Sequence, residues 1–487
     1  MPPGDRTAPT YRRRLENGLT VLVREDHSAE VVAIVTHVKA GYFNEPDRLV
    51  GISHVLEHMY FKGTERRGAG DIARETKEVG GYLNAGTIYD YTSYYTVLPS
   101  SALEQGLDIQ SDALLNSEID EEELRRELLV IIQEANRKLD NPAAVATESL
   151  YEEMFDVHRI RRWRIGTEEG LRRLTRADVW DYYRNLYHPS NVVLVVAGDV
   201  EPERAFALVE RYYGGMPAGE PVIEKSPPEP ERRGLRFREM AGGIVQTHLE
   251  WGWRTPGTLH EHTPALDLLA VVLGQGRASR LYRQVRDRGL VSSISAHNYT
   301  PTDLGVFGIS AELQPEQTLA ALHAIHRTVA ELAREGPTGT ELERARNILE
   351  ARLLRQAESV EGQAVQLAEW EAVGDWRLAD VYLDRIRAAT VDELRRVAGE
   401  YLDLERATVL AYRPDAAPPL GWDAATLLQM LRGAAPAGGP AATPPAGGTE
   451  APGAAAPVGG VETALGRAMA RRGAENGVHF FELEGGS

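Results

Sequence analysis

Two stretches far apart in this chain follow one plan. "LTRADVWDYYRNLYHPSNVVLVVAGD" (174–199) and "ATVDELRRVAGEYLDLERATVLAYRP" (389–414) each place a threonine and an acidic residue ahead of helical spacing, then a strand. "EEELRRELLVIIQEA" (121–135) pairs with "GTELERARNILEARL" (339–353) in the same order. Self-similarity at a fixed order predicts a duplicated structural unit. With 487 residues the chain is also too long for one ordinary core. Between the copies, "PAGEPVIEKSPPEPERRG" packs five prolines into a short polar run, which rules out helix or central strand there.

The first copy opens with "YRRRLENGLTVLVRED", where Asn-Gly between alternating apolar runs predicts a hairpin. "AEVVAIVTHVKAG" reads as a buried strand, and helical spacing runs from Gly51 through His58. "GGYLNAGTIYDYTSYYTVLP" (80–99) is rich in strand formers. Two long helical stretches follow, the second opened by Asp120 and a run of acids suited to a helix N-terminus.

Composition narrows the chemistry. The net charge of −18 argues against nucleic-acid binding, which needs a concentrated basic face. There is no cysteine, so thiolate catalysis, disulfides and sulfur-ligated metals are excluded. No segment reaches the roughly 18 apolar residues of a membrane span. No secretory h-region opens the chain. The cytoplasm is therefore the default expectation, with the periplasm as the alternative had a leader been removed.

Against that background "GISHVLEHMYFKGT" (51–64) stands out. On a helix, His54 and His58 share one face and offer two imidazole nitrogens to one ion, with Glu57 flanking them. A hydrolytic zinc takes three protein ligands and keeps one position for water. It lowers the water's pKa to about 7, and a nearby carboxylate removes the proton. H-x-x-E-H is the inverted form of the commoner zinc motif. A third ligand is expected on "RRELLVIIQEANRKLDNP", where Glu127 and Glu134 lie two helical turns apart among Leu128, Leu129, Val130, Ile131 and Ile132. Carboxylates on a buried helix need a compensating positive charge. Glu134 is assigned as the ligand and Glu127 as the carboxylate orienting a ligating histidine. The second copy places Leu266, Leu269 and Ala270 opposite His54, Glu57 and His58, and Ala345 and Arg352 opposite Glu127 and Glu134. It keeps none of the five, so one copy carries the metal and the other does not.

Together with "GGYLNAGTIYDYTSYY" and "GQGRASRLYRQVRDRGLVSSISA", these residues resemble the M16 metallopeptidases, the family of pitrilysin, insulin-degrading enzyme and the mitochondrial processing peptidases. The resemblance covers about Tyr11 to Pro414. It implies an α+β fold of two tandem homologous α/β-roll domains, each a mainly antiparallel sheet with helices on one face. The expected division is an N-terminal extension (1–10), a zinc-binding domain (11–216), a linker (217–233) and a metal-free domain (234–414). An Ala/Pro/Gly-rich flexible tail (415–476) and a short, strand-like C-terminal segment (477–487) follow. It implies one Zn²⁺ per chain and endopeptidase activity on peptides or unfolded segments held extended in a clamshell chamber.

The resemblance also implies substrate contact at Asn84 and Ala85 by strand addition. It further implies an arginine–tyrosine pair that holds substrate. Arg286 matches the arginine, but Ser292 stands where tyrosine is expected. A homodimer, or a heterodimer with a second M16-like subunit supplying the pair, is therefore expected. The alternative is a non-catalytic or partner-dependent subunit of such a complex. "HEH" (260–262) and "GQGRAS" (274–279) are weak signals, and the arginines of "YRRR" and "HRIRRWR" read as solvated faces.

Overall fold

The computed structural model describes residues 8–433. Most of the expected tail, the segment 477–487 and residues 1–7 of the extension lie outside the described residues.

In the first half, strands β1 (Thr10–Arg14), β2 (Thr20–Glu25) and β3 (Val31–Val38) lead to helices α1 (Ile52–Met59) and α2 (Asp71–Glu78). Strands β4 (Tyr82–Thr87) and β5 (Thr92–Pro99) follow, then α3 (Leu103–Leu115), α4 (Glu121–Leu139), α5 (Pro142–Met154), α6 (Glu168–Arg173) and α7 (Arg176–Leu186). Strand β6 (Val192–Gly198) and α8 (Pro202–Tyr213) complete it. The second half runs β7 (Arg236–Gly242), β8 (Thr247–Thr255), α9 (Thr263–Gly274), β9 (Ser293–Tyr299), β10 (Gly305–Leu313) and helices α10 (Thr318–Glu335) and α11 (Gly339–Gln356). It ends with α12 (Val360–Ala372), α13 (Leu378–Ala388), α14 (Val391–Tyr401), β11 (Ala407–Pro414) and α15 (Ala424–Gly433).

The first sheet has the order β1-β2-β6-β3-β5-β4 and the second β7-β11-β8-β10-β9. Apart from the extra edge strand β1, the two orders are the same. Each contains one parallel pair, β2 with β6 and β7 with β11, in an otherwise antiparallel ladder. The two matched sequence pairs fall on α7–β6 against α14–β11 and on α4 against α11. Thr175 and Thr390 cap their helices with the same box, each bonded to an acid three residues on.

The apolar pattern decides the layering. In β6, Val192, Leu194 and Val196 join the core under the first half's own helices, while Val193, Val195 and Ala197 line the opposite face. That opposite face is covered by Ala364, Leu367 and Ala368 of α12, a helix of the second half. The exchange is reciprocal. Ala146, Leu150, Tyr151 and Met154 of α5 pack with Val306 and Leu410 of the second sheet. Gly252 of β8 admits that helix, because a Cβ there would lie 2.5 Å from Met154 Sδ. As expected, the helices each sheet keeps from its own half lie on one face; the opposite face is covered by a helix from the other half. This explains why "VVLVVAG" shows no polar alternation.

Two further expectations change. Ala424–Gly433 is a helix with Leu427 fully buried and Leu431 nearly so, so the chain stays packed well past 415. Three of the four arginines of "HRIRRWR" point inward while Arg161 is exposed: Arg159 pairs with Glu224, Arg162 reaches the Tyr42 and Glu45 carbonyls, and Arg164 pairs with Glu148. The proposed linker, 217–233, carries neither helix nor strand. It is strapped to the first half by Asn185 on both backbone groups of Val222 and by Glu229 on the N–H groups of Asp156, Val157 and His158.

Helix α1 starts on Gly51, whose φ of 95° is left-handed. A Cβ there would lie 2.6 Å from the Ile165 carbonyl oxygen. The capping side chain is Glu45, fully buried, which accepts from Gly51 N at 3.0 Å and Ser53 N at 2.9 Å. Burial outweighs these donors and Arg162, and pushes the Glu45 carboxyl from 4.5 up to about 7.

Between those values only the folded state holds the proton, so Glu45 makes stability fall as pH rises across that window. Glu45→Gln removes the slope. In denaturant titrations with chelator present, the advantage of wild type over this variant should shrink by on the order of 3 kcal/mol between pH 4.5 and 8. A pH-independent difference would contradict the assignment. The helix exchange makes a second prediction. Leu150→Ala should cost about 2–5 kcal/mol and shift the unfolding of both halves together. Resolved transitions with only one half destabilised would count against mutual support.

Candidate metal centre

The centre is built where α1 crosses α4. Ile52, Val55, Leu56 and Met59 bury one side of α1, which turns His54 and His58 toward α4. Helix α4 starts on Asp120, whose side chain accepts from the backbone N–H of Glu122 and Glu123. Its Ile131 and Ile132 are buried and Glu127 is 6% exposed, but Leu129 and Val130 face out at 46% and 40%. The expectation that this whole apolar run is buried is therefore only half met. Helix α4 lies on the body by the face that carries the two glutamates.

Glu134 Oε2 lies 3.8 Å from His54 Nε2 and 3.9 Å from His58 Nε2. The two imidazoles meet edge to face, 4.7 Å between centroids. Glu127 sits behind them, Oε2 3.0 Å from His58 Nδ1 and Oε1 2.6 Å from Lys62 Nζ. Burial raises the Glu127 carboxyl, but the bonds from His58 and Lys62 prevail and hold it below its usual value. Burial also depresses His54, which favours its neutral, ligating form. Thr87 of β4 donates to Glu57 Oε2 at 2.6 Å. Burial raises Glu57 above the ordinary carboxylate range despite that bond.

Two imidazole nitrogens and one carboxylate oxygen, all within 4.8 Å of one another, suit zinc. Ligands about 2.0–2.1 Å from one tetrahedral ion lie roughly 3.4 Å apart, so the two separations from Glu134, 3.8 and 3.9 Å, exceed that spacing by only about half an ångström.

The other expected residues are not among the converging ligand atoms. Asn84 and Ala85 lie in β4, the edge strand of the first sheet, and Ala85 N donates to Asn84 Oδ1 at 2.8 Å. Arg286 is exposed at the end of the short π-helix Tyr282–Arg286 of the second half, its guanidinium over the Tyr282 ring. The Ser292 hydroxyl donates to the Glu312 carbonyl and accepts from Gln246. In the second half, Leu266, Leu269, Ala270 and Ala345 are core residues, and Arg352 bonds Gln275. Three residues at the centre escaped sequence reasoning. Lys62 follows His58 by four and so continues its helical face. Thr87 lies in a strand already flagged. Glu45 carries no local signal, since its capping role depends on the chain folding back.

Comparison with known proteins identifies the family. Residues 20–168 match the insulinase family (peptidase family M16), and residues 173–349 match the peptidase M16 inactive domain. An uncharacterized zinc protease of Rickettsia felis is 30% identical over 390 residues, covering 80% of this chain and 93% of that protein. The crystal structure of a protease from Helicobacter pylori superposes with a TM-score of 0.80 at 25% identity, over 84% of this chain and all of that one. The periplasmic protease PqqL of Escherichia coli, 20% identical, shares the fold with a TM-score of 0.72; the match takes 92% of this chain but 52% of PqqL. Among the described residues no helix is long and apolar enough to cross a membrane. Two tandem halves of one α+β topology, with H-x-x-E-H on a helix of the first, make this chain a member of the M16 peptidase family.

Proposed function

We propose that this chain is a zinc-dependent endopeptidase acting on peptides or unfolded polypeptide segments. His54, His58 and Glu134 are the proposed ligands, one Zn²⁺ per chain, and Glu127 orients His58. The observation that carries the reading is the convergence of three ligand atoms from two helices, with Glu57 held beside them by Thr87. Zinc bound there would supply Lewis acidity, polarising a scissile carbonyl and acidifying a water. With Oε2 engaged by Thr87, Glu57 keeps Oε1 to take the proton of the attacking water and return it to the leaving nitrogen. The substrate runs extended beside β4, near Asn84 and Ala85, where a sheet edge offers backbone partners. The zinc-protease name of the Rickettsia felis relative supports the reading.

A second reading, a partner-dependent subunit, is favoured by Ser292. Its hydroxyl is engaged with Gln246 and Glu312, and a serine reaches less far than a tyrosine. On this reading Arg286 contacts substrate only across a dimer, and a second M16-like chain supplies the tyrosine.

Glu57→Gln should retain zinc and lose about 10²–10⁴-fold in kcat, read by metal analysis beside digestion of a quenched peptide library. Cleavage by the variant at the wild-type rate would remove Glu57 from its role. Chelation should abolish cleavage and zinc restore it. Full turnover by the metal-free chain would overturn the reading.

A further inference from the structure

Both oxygens of Glu127 are taken, and by different partners. Oε2 faces His58 Nδ1, and Oε1 faces Lys62 Nζ. Lys62 lies just past the end of α1, where its N–H still bonds back to the Met59 carbonyl. The carboxylate is almost fully buried and the lysine stem partly so. An exposed lysine–glutamate pair contributes little, but this one fixes a buried group that would otherwise turn about its own side-chain bonds. His54 has no such support, for its Nδ1 is buried without a hydrogen-bond partner among the described residues.

We propose that Lys62 is a positioning residue for the metal centre. By clamping Oε1 it sets the plane of the Glu127 carboxylate, so that Oε2 accepts from His58 Nδ1–H. That acceptor places the imidazole proton on Nδ1 and leaves the Nε2 lone pair directed toward His54 and Glu134. Lys62 thereby selects the ligating tautomer through Glu127 without touching the ion. The second copy supports the pairing. The alignment that sets Ala270 opposite His58 sets Gly274 opposite Lys62, and Ala345 stands opposite Glu127. Histidine, glutamate and lysine are absent together. A lysine required by the fold alone would have reason to persist there.

The inference rests on the proposed ligand set, and its test separates the two. Lys62→Met keeps the stem and removes the donors; Lys62→Arg keeps a cation in reach. Zinc affinity, measured on the full chain by competition with a chromophoric chelator, should fall 10–100-fold in Lys62→Met and recover most of that in Lys62→Arg. In the zinc-free proteins labelled with ¹⁵N-histidine, long-range ¹H–¹⁵N spectra should place the His58 proton on Nδ1 in wild type and Lys62→Arg. Lys62→Met should show a mixture of tautomers. Unchanged affinity, or an unchanged tautomer in Lys62→Met, would overturn the proposal. A wild type that binds no zinc would sink the ligand assignment, while the spectra still judge Lys62. If Lys62→Met fails to fold, the arginine variant decides: a folded chain with weak zinc and mixed tautomers would contradict the clamp.

Discussion

Each sheet of this protein has two apolar faces, and its own helices cover one. Val193, Val195 and Ala197 would meet water if α12 did not cross from the second half, and Val306 and Leu410 would do so without α5. Burial of such surface is worth about 25 cal/mol per Å², so neither half completes its core alone. Polar contacts fix the rim of the exchange: Tyr91 to Glu369, Arg12 to Glu371 and Thr302 to Asp90. The consequence is that α4 and α5, consecutive in sequence, pack against different halves. Helix α4 carries Glu127 and Glu134 toward α1, and α5 packs on the other sheet.

The duplicated frame also shows what the chemistry adds to it. Helices α1 and α9 occupy the same place in the order of elements, as do α4 and α11. In the second copy Leu266, Leu269, Ala270 and Ala345 simply fill the core. In the first copy the same positions hold two imidazoles and two carboxylates, which are costly to bury unpaired. Glu127 pairs with Lys62, Glu57 accepts from Thr87, and His54, His58 and Glu134 converge on one another.

Much of this was legible in the sequence. The hairpin, the buried strands, Asp120 as a helix start and the tandem repeat follow from local spacing, and local structure obeys it. The convergence of His54, His58 and Glu134 was legible because helical geometry links residues four and seven apart. What was not legible depends on distant chain. The reciprocal exchange cannot be read from α5 or α12, whose sequences show apolar faces but not which sheet they meet. Leu129 and Val130 were misjudged because an apolar run on a helix must put some members outward. "HRIRRWR" looked solvated because its acceptors, Glu148, Glu224 and the Tyr42 carbonyl, lie elsewhere in the chain. The helix at Ala424–Gly433 was masked by the low-complexity run beyond it.

The central claim is that one half of a duplicated scaffold gathers a single metal from two helices while the other half gathers none. Anomalous diffraction at the zinc absorption edge, on crystals of the zinc-loaded chain, tests it most directly. The account predicts one strong peak between His54 Nε2, His58 Nε2 and Glu134 Oε2, and no peak at the matching place beside Leu266 and Ala270. A peak elsewhere with that site empty, or Glu134 turned away from the ion, would contradict it.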